Sequence, residues 1–335
     1  MSFRLEVVST LPRLRELEPP WSQQVSAWQE STPFQLPEWL LTWWDHFGSG
    51  DLQTLVAWKE DIIVGLVPCF RHVWQNARQL TLIGSGITDY LDPFIANEHA
   101  DLTVEKLGAY LMEAEFDLCD WQDLSATSPL LSLTQSEQLN VSVAPETVCS
   151  EVELDGDFDG YWQNRSSEMR RNVRRYGEKA ERTGPLRFDV DCNATPESLD
   201  ALFALHTARW RSRGESGMVE ANHSAQFMRA VSSVLARRDI VRLFTLRWCE
   251  RVVAAILAFS WKGKLYGYFS AFDPEHEHLG FGRILLSHCI RYAYQTGHTH
   301  WNFLRGDEPY KKSWGAQCIS KCRLKIRHRV SPCTS

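Results

Sequence analysis

Two glycines in the second half of the chain, Gly280 and Gly282, stand at the start of a predicted helix that follows three predicted strands. The first turn of a helix presents N–H groups without intrahelical partners and a partial positive charge, which suits a diphosphate. Glycine lets the backbone approach such a group closely, although it is also the usual residue of tight turns. We therefore take Gly280, Phe281, Gly282 and Arg283 as candidate cofactor-binding residues.

A helix predicted within residues 158–182 carries four arginines on one side, Arg170, Arg171, Arg174 and Arg175. A guanidinium group can bind a phosphate through two parallel hydrogen bonds. A functional role for this helix would imply a phosphorylated small molecule, a tRNA or an anionic lipid as partner. Runs of charge are also typical of a solvated helix face, and that alternative stays open.

A third candidate is the segment 303–314. A predicted strand delivers Arg305 and Asp307 to a glycine turn, and Tyr310 and Lys311 follow at the start of a short helix. Catalytic groups collect on loops at strand ends. Turns that contain Gly, Asp and Pro are equally common without such a role.

Two smaller groups could transfer protons or bind substrate. Asp89, Tyr90 and Asp92 lie close together in the first half and could supply a general base and hydrogen bonds, although Asp-Pro is also a common turn. In the second half, a predicted helix carries His206 and Arg209. Histidine titrates near neutral pH, but His206 shares the apolar stripe of its helix, which favours a buried core histidine.

Composition bounds the class of protein. The chain has 335 residues, enough for about two domains of roughly 150 residues. Hydrophobic residues make up 44% and charged residues 23%, as in soluble globular proteins, which excludes collagen, coiled coil and low-complexity classes. The net charge of −6 argues against a protein that binds DNA or other nucleic acids with its whole surface.

The nine cysteines are an odd number and mostly stand alone, which predicts reduced thiols. Cys318, Cys322, His328 and Cys333 could suggest zinc, but they lack a second paired motif, and we expect no metal. We find no secretory signal at the start, and the longest apolar run, residues 252–259, is too short for a membrane span. These features predict a cytoplasmic protein.

Hydrophobic periodicity divides the chain into two α/β halves, which we predict as domains of residues 1–154 and 155–335. The second half is predicted as a strand, two helices, three antiparallel strands, the glycine loop, and then helix, strand, helix and strand. The middle one of the three strands is almost wholly apolar, so we expect burial of both its faces. The first half follows a similar order more loosely.

This order of elements, with Gly280 and Gly282 in the loop, resembles the GNAT acyltransferase fold. The resemblance implies two tandem GNAT-like lobes, each a mixed, mostly antiparallel sheet flanked by helices. It also implies acetyl-CoA or another acyl-CoA as co-substrate, with Tyr268 and Ser270 of the preceding strand near the thioester. In that family a glutamine or arginine usually stands three residues before the first glycine. This chain has Glu277 there, which would repel a phosphate.

An ordered set of short segments also resembles the CelD-like acyltransferases of cellulose and exopolysaccharide synthesis, which are related to the Fem aminoacyltransferases. The set comprises residues 43–44, 89–93, 170–175, 206–210, 271–274 and 303–314. The Tyr310–Lys311 pair matches an aromatic-lysine pair that lies at the acyl-transfer site of Fem proteins.

The resemblance implies transfer of an acetyl or other acyl group from a CoA thioester to an amine or hydroxyl group. The implied acceptor is a sugar-containing or other small precursor, with phosphorylated and nucleotide-linked compounds among the options. Two alternatives stay open. One is a Fem-like transferase that uses aminoacyl-tRNA, and the other is a non-catalytic subunit of a polysaccharide-synthesis complex.

The chemistry of acyl transfer suggests roles for the candidate residues. Asp89 or Asp92 would accept the proton of the attacking group, and Lys311 would offset charge on the tetrahedral intermediate. The further catalytic candidates are His206, Asp307 and Tyr310. The candidate substrate-binding residues are Tyr90, Arg171, Arg174, Arg175, Arg209 and Arg305.

Overall fold

A computed structural model describes residues 2–217, 219 and 222–328 of the chain. It divides the chain into two compact units. The first comprises the chain up to Thr147 together with the segment from Ser320, and the second extends from Val148 to Ile319. The predicted boundary after residue 154 is therefore placed differently by the structure, because a strand at residues 149–153 pairs with strands of the second unit.

The secondary structure is numbered in chain order. The strands are β1 (Phe3–Val8), β2 (Asp51–Leu52), β3 (Thr54–Lys59), β4 (Ile62–Val67), β5 (Cys69–Trp74), β6 (Ala77–Leu82), β7 (Phe94–Ile95), β8 (Leu118–Ser125), β9 (Leu139–Pro145), β10 (Cys149–Glu153), β11 (Leu186–Asp191), β12 (Val241–Trp248), β13 (Arg251–Trp261), β14 (Lys264–Phe272), β15 (His300–Arg305), β16 (Gln317–Ile319) and β17 (Lys321–His328). The helices are α1 (Leu11–Glu16), α2 (Glu18–Ala27), α3 (Pro37–Phe47), α4 (Ala100–Glu113), α5 (Phe158–Gln163), α6 (Ser167–Glu181), α7 (Pro196–Arg211), α8 (Asn222–Ala236), α9 (Phe281–Gln295) and α10 (Pro309–Ser313). Short 3-10 turns include Pro33–Gln35, Asn97–His99, Pro129–Gln135 and Pro274–Leu279.

The strands of the first unit form two sheets, in the orders β1-β3-β4-β7 and β2-β5-β6-β8-β17-β9. One sheet was expected in this half. The two sheets separate at Pro68, which lies between β4 and β5 and has no N–H group to donate to a ladder. Within the second of these sheets, β6 and β8 are parallel and the other pairs are antiparallel.

The second unit contains one sheet of seven strands, in the order β11-β12-β13-β14-β15-β10-β16. The pair β14–β15 is parallel and the others are antiparallel. The apolar middle strand β13 is buried from Val253 to Phe259, as the sequence predicted. Residues of α9 pack in one core with Ile256 of β13, whereas His206 of α7 contacts Phe269, the β14 partner of Leu257. Since neighbouring strand residues face opposite ways, α9 and α7 cover opposite faces of the sheet.

The C-terminal strand β17 is inserted between β8 and β9 of the first unit. Arg323 binds both carboxylate oxygens of Asp120, at 2.6 and 2.7 Å. The sequence predicted one strand over residues 318–328 in the second half, because the alternation of side chains continues through the break at Ser320. Cys318 and Cys322, which the zinc hypothesis grouped, consequently belong to different sheets.

Cys333, the last residue of that hypothesis, lies outside the described residues. The eight cysteines within them are free thiols, as predicted. None of the helices in the described ranges has the length and apolar character needed to cross a membrane.

Candidate active site

Two neighbouring strands of the second unit separate after a short parallel ladder. β14 and β15 pair at three positions, and the last pair is Tyr266 opposite Asn302. In β14 the register against β13 shifts, which leaves Tyr268 as the extra residue of a bulge. In β15 Leu304 has a φ of +57°, and its N–H donates to the side-chain oxygen of Asn302 at 2.8 Å. Bulges bend a strand and increase its twist, so the two strands diverge.

A cavity of about 360 Å³ opens where the strands diverge, beside the first two turns of α9. Its size falls within the range of about 300–1,000 Å³ that is usual for small-molecule sites. All its lining residues belong to the second unit. They are Tyr176, Arg209, Ile256, Gly267, Ser270, Ala271, Phe272, Glu277, Gly280, Phe281, Gly282, Arg283, Leu285, Leu286, Trp301, Phe303, Tyr310 and Trp314.

Aromatic rings shape the loop before α9. Gly280 has a φ of +63°, and a Cβ atom there would lie 2.6 Å from the ring of Tyr176. A Cβ atom at Gly282 would lie 3.2 Å from the ring of Phe272. Close packing therefore favours glycine at both positions, and the left-handed backbone favours it at Gly280 as well. The loop brings the first turn of α9, at Phe281 and Gly282, to the cavity wall, whereas Arg283 N–H donates to Gly280 O at 2.9 Å.

Two guanidinium groups reach this cavity. The Arg209 guanidinium lies over the ring of Phe272, 4.4 Å from its centre. The Arg283 guanidinium lies 5.8 Å from the ring centre of Tyr176. An anion at the start of α9 would thus meet amides and cations together.

Arg209 is half-buried, and the groups around it shift its pKa in opposite directions. Burial lowers its pKa most, and nearby Arg213 lowers it further, while Tyr310 and Glu277 raise it. Arginine keeps its proton in proteins. The cavity therefore presents two positive side chains, Arg209 and Arg283, and the carboxylate Glu277.

Tyr310 stands at the cavity wall with 44% of its surface exposed. Desolvation by the surrounding protein raises the pKa of Tyr310 to about 12. The Glu308 carboxylate raises the pKa further, and the Arg209 cation opposes both. The phenol is protonated at neutral pH and can therefore act as a proton donor.

Lys311 is buried, and the structure gives it a different role from the expected one. Its ammonium donates to the carbonyl oxygens of Leu304, Arg305 and Gly306 and lies 2.9 Å from Glu308 Oε2. An ammonium group has three N–H donors, and these contacts account for all of them. Lys311 therefore anchors the end of β15 and is not positioned to offset charge on an intermediate in the cavity.

Three further predicted residues are not among the cavity lining. Asp307 is exposed and lies 3.9 Å from the Lys312 ammonium. Arg305 is also exposed, and its backbone carbonyl is a ligand of the Lys311 ammonium. Tyr268 packs on Phe259, with ring centres 5.5 Å apart.

His206 belongs to the core that α7 forms with β14. It is 5% exposed, and its ring centre lies 4.5 Å from that of Phe269 and 5.8 Å from that of Trp210. A Cβ atom at Gly217 would lie 2.5 Å from its ring. This aromatic packing matches the core alternative and leaves the predicted catalytic role of His206 without support.

The acidic segment of the first half lies inside the first unit. Asp92 Oδ2 accepts a hydrogen bond from Ser125 N–H at 2.7 Å, and the Lys321 ammonium lies 3.6 Å from the ring centre of Tyr90. Burial raises the pKa of Asp92, and the Lys321 cation opposes this. The void beside Tyr90 and Asp92 measures about 10 Å³, the space of one water at most. These contacts stabilise the unit, so the roles expected for Tyr90 and Asp92 as substrate ligand and base gain no support. Asp89 is half-buried in the same segment.

The arginines of α6 point mainly to solvent. Arg171, Arg174 and Arg175 are exposed, and Arg174 lies 3.7 Å from Glu178 in a surface ion pair. Arg175 lies 5.4 Å from the ring centre of Tyr176 and thereby touches the cavity wall. The solvated-face alternative thus describes Arg171 and Arg174, while Arg175 packs on Tyr176, a lining residue of the cavity.

One group among the described residues has the spacing of a metal site. The ligand atoms of Asp273, Glu275 and His276 lie within 4.8 Å of one another. Asp273 already accepts a hydrogen bond from Glu275 N–H at 3.0 Å, contacts His276 at 3.0 Å and lies 3.5 Å from Arg251. These contacts cap the turn before α9, and the Arg251 cation disfavours a metal ion there.

Sequence reasoning missed the aromatic wall of the cavity. This wall includes Tyr176, Phe272, Trp301, Phe303 and Trp314. The available signal was that aromatic residues border each of the candidate segments of the second half. Seven predicted residues do lie together at the cavity. They are Arg209, Ser270, Gly280, Phe281, Gly282, Arg283 and Tyr310.

Comparison with known families matches residues 167–312 to the acetyltransferase (GNAT) domain. The match covers most of the second unit and includes the diverging strands, the glycine loop and Tyr310. The second unit therefore contains an acyltransferase domain of the GNAT class. A comparison with curated protein sequences gave no match.

Solved structures share the fold over nearly the whole chain. FemX is 10% identical, with 98% of each chain covered and a TM-score of 0.66. The L-PGS structure from Bacillus licheniformis is 15% identical, with 88% of this chain and 93% of that chain covered and a TM-score of 0.57. A tandem GNAT protein from the clavulanic acid biosynthesis pathway is 9% identical, with 98% and 100% covered and a TM-score of 0.53. The predicted tandem GNAT-like α/β fold is confirmed.

Proposed function

We propose that the second unit transfers an acyl group from an acyl-CoA thioester to an amine or hydroxyl group of a small acceptor. The observation that carries this proposal is a single cavity that joins an anion-binding helix start to a protonated phenol. The helix start is Gly280 to Arg283, and the phenol is Tyr310. A CoA thioester would suit both, because the pantetheine arm joins its diphosphate at one end to the thioester sulfur, which departs as a thiolate, at the other.

The first-turn amides of α9 would bind the diphosphate of the donor, and Arg283 and Arg209 would add charge-assisted hydrogen bonds. Glu277, which lines the same cavity, opposes anion binding. Its carboxylate acts on the Arg209 guanidinium, so the two charges partly offset each other at the site.

The reaction proceeds by direct attack. The acceptor nitrogen or oxygen forms a bond to the thioester carbonyl carbon, and the carbonyl oxygen takes up the electron pair. N–H groups of β14 near Ser270 are suited to stabilise that oxyanion. The C–S bond then breaks, and Tyr310 gives its proton to the departing thiolate. The proton of the attacking group passes to water, because neither Asp89 nor Asp92 is among the residues that line the cavity.

We further propose that the acceptor contains a sugar and that the reaction belongs to the synthesis of a polysaccharide or another envelope component. It rests on the ordered segments that resemble the CelD-like acyltransferases. A cytoplasmic location would suit a CoA-dependent reaction of this kind.

The alternative donor is an aminoacyl-tRNA. The fold shared with FemX and the exposed arginines of α6, Arg171 and Arg174, favour it. Binding of tRNA through these arginines should weaken steeply as salt concentration rises.

The proposal is tested by adding acetyl-CoA to the full chain and measuring its melting temperature. A ligand at about 100 times its Kd stabilises the folded state by about 2.7 kcal/mol, so a clear rise is expected. Arg283→Gln should weaken binding about tenfold or more, since a hydrogen bond to a charged group contributes about 1.5–3 kcal/mol.

Arg174→Gln is the matched control, because Arg174 is an exposed arginine with one surface ion pair. It should leave the CoA affinity unchanged. If no CoA thioester raises the melting temperature and aminoacyl-tRNA binds with a steep salt dependence, the alternative donor is supported and the CoA proposal fails.

A further inference from the structure

The cavity has a polar part and an apolar part. Its polar groups, such as Arg209, Glu277, Arg283 and Tyr310, are exposed or half-buried. The remaining wall includes large apolar side chains from β13, α9, β15 and the segment after α10. They are Ile256, Leu285, Leu286, Trp301, Phe303 and Trp314, each at most 8% exposed.

The volume of this cavity is large for the shortest acyl group. An apolar protein cavity of about 150 Å³ takes up benzene, a ring of six carbons, and the cavity here measures about 360 Å³. An acetyl group adds one methyl to the carbonyl carbon and would leave much of the apolar wall without contact. Unfilled apolar space forfeits both dispersion contacts and the gain from removing apolar surface from water.

The pantetheine arm of CoA is not wholly apolar, so an apolar wall alone does not suit it. Its two amide groups need hydrogen-bond partners when buried. Along β14 from Ser270 to Phe272 no pairing to β15 continues, and these residues line the cavity with the edge of their strand. If the pantetheine arm follows this strand edge, the apolar surface at Ile256 and Leu286 stays free to contact the acyl group of the donor.

We propose that the donor of this enzyme carries an aliphatic acyl chain longer than acetyl, of about four to eight carbons, and that Ile256, Leu286 and Phe303 form its pocket. The proposal rests on the CoA-dependent function above, because it concerns the acyl group of that donor. Leu286 lies in the second turn of α9, and Ile256 is the β13 partner of Ser270. These two residues set the depth of the pocket.

The test is a titration of the full chain with CoA, acetyl-CoA, butyryl-CoA, hexanoyl-CoA and octanoyl-CoA by isothermal calorimetry. Each methylene that leaves water should tighten the Kd by about fourfold, so hexanoyl-CoA should bind at least tenfold more tightly than acetyl-CoA. Equal or weaker binding of hexanoyl-CoA overturns the acyl-chain proposal and leaves the CoA proposal intact. Failure of all five compounds to bind overturns the CoA proposal instead.

A pair of variants locates the pocket. Leu286→Ala should move the tightest binding toward the longer chain. Leu235→Ala is the matched control, since Leu235 is a fully buried leucine of α8 outside the cavity. An identical chain-length profile in both variants would remove Leu286 from the pocket. The series on the unmodified chain decides the proposal whether or not the variants fold.

Discussion

Each unit contains one parallel ladder of three residue pairs, β6–β8 in the first and β14–β15 in the second. In each, the later strand then passes through a non-glycine residue with positive φ, Asp123 at +56° and Leu304 at +57°. The space beyond the ladder differs. It holds a void of about 10 Å³ beside Tyr90 and Asp92 in the first unit, and a cavity of about 360 Å³ in the second.

The difference lies in the groups that satisfy the backbone beyond each ladder. In the first unit, Leu91 N–H donates to Asp123 O at 3.2 Å and the Asp92 carboxylate accepts from Ser125 N–H, so the unit's own chain fills the space. In the second unit, the Lys311 ammonium binds the carbonyl groups from the loop side. Buried backbone groups need partners in either case. A partner that approaches from outside the cleft leaves room for a ligand.

Of the variants that test this comparison, Lys311→Met should have the largest effect, and the effect should be on the stability of the second unit. It keeps the apolar stem but leaves three carbonyl groups and Glu308 without the cation. Glu308 is exposed and keeps its solvation, but a buried acceptor left without a partner costs about 1–3 kcal/mol, so we expect a loss of about 3 kcal/mol in the free energy of unfolding from urea titrations. Lys312→Met, a change at the exposed neighbour, should cost less than about 0.5 kcal/mol. A stable Lys311→Met protein that has lost only turnover would restore the catalytic role and contradict the anchoring role.

Tyr310→Phe should have the next largest effect, on the rate. Loss of a general acid lowers kcat by about 100-fold or more, while the KM for the acyl-CoA should change less than twofold. The rate is measured as thiol release from hexanoyl-CoA with water as the acceptor. Since the pKa of Tyr310 is raised to about 12, the wild-type rate should not fall between pH 7 and 9 through loss of this proton.

Tyr268→Phe is the control for that rate measurement, because Tyr268 lies on the same sheet outside the cavity lining. It should keep kcat within about twofold. A Tyr310→Phe protein as active as this control would show that the thiolate leaves without help from the phenol.

Asp92→Asn should have the smallest effect, which is on how the free energy of unfolding depends on pH, and it tests whether Asp92 is part of the interior of the first unit. Burial raises the pKa of Asp92 in the folded chain, so the folded state binds this proton more tightly than the unfolded state. The stability from this group is then present below the unfolded pKa of about 4 and is lost as the pH rises through the folded pKa. In Asp92→Asn, the free energy of unfolding should therefore decline less between pH 4 and pH 7.

The control for this pH series is Asp61→Asn, at an exposed turn of the first unit. It should keep the pH slope of the wild type. The affinity for hexanoyl-CoA should be the same in both variants, because Asp92 lies in the filled interior. Loss of that affinity in Asp92→Asn would contradict the view that the first unit is filled by its own chain and that the ligand binds in the second unit.

Local patterns predicted several elements to the residue. A proline at the first helical position predicts a helix over residues 37–47, and a run bounded by turns predicts a strand over residues 264–272; α3 and β14 have these bounds. The sequence also predicts a strand over residues 87–95, but only Phe94–Ile95 is a strand. Residues nearer the start of this segment lie in the interior of the first unit, where Leu91 and Asp92 form hydrogen bonds with the backbone of β8.

The sequence by itself determined the tandem α/β order, the apolar central strand and the glycine loop, because these depend on periodicity and on backbone conformations that few residues adopt. Only the tertiary structure decided which polar side chains reach the cavity. Tyr310 and Lys311 are adjacent in the chain, yet the phenol lines the cavity and the ammonium binds the carbonyls of Leu304 and Arg305 in β15. Residue type states what a group can donate or accept, whereas its partner is set by the backbone groups that distant strands leave unsatisfied where they diverge.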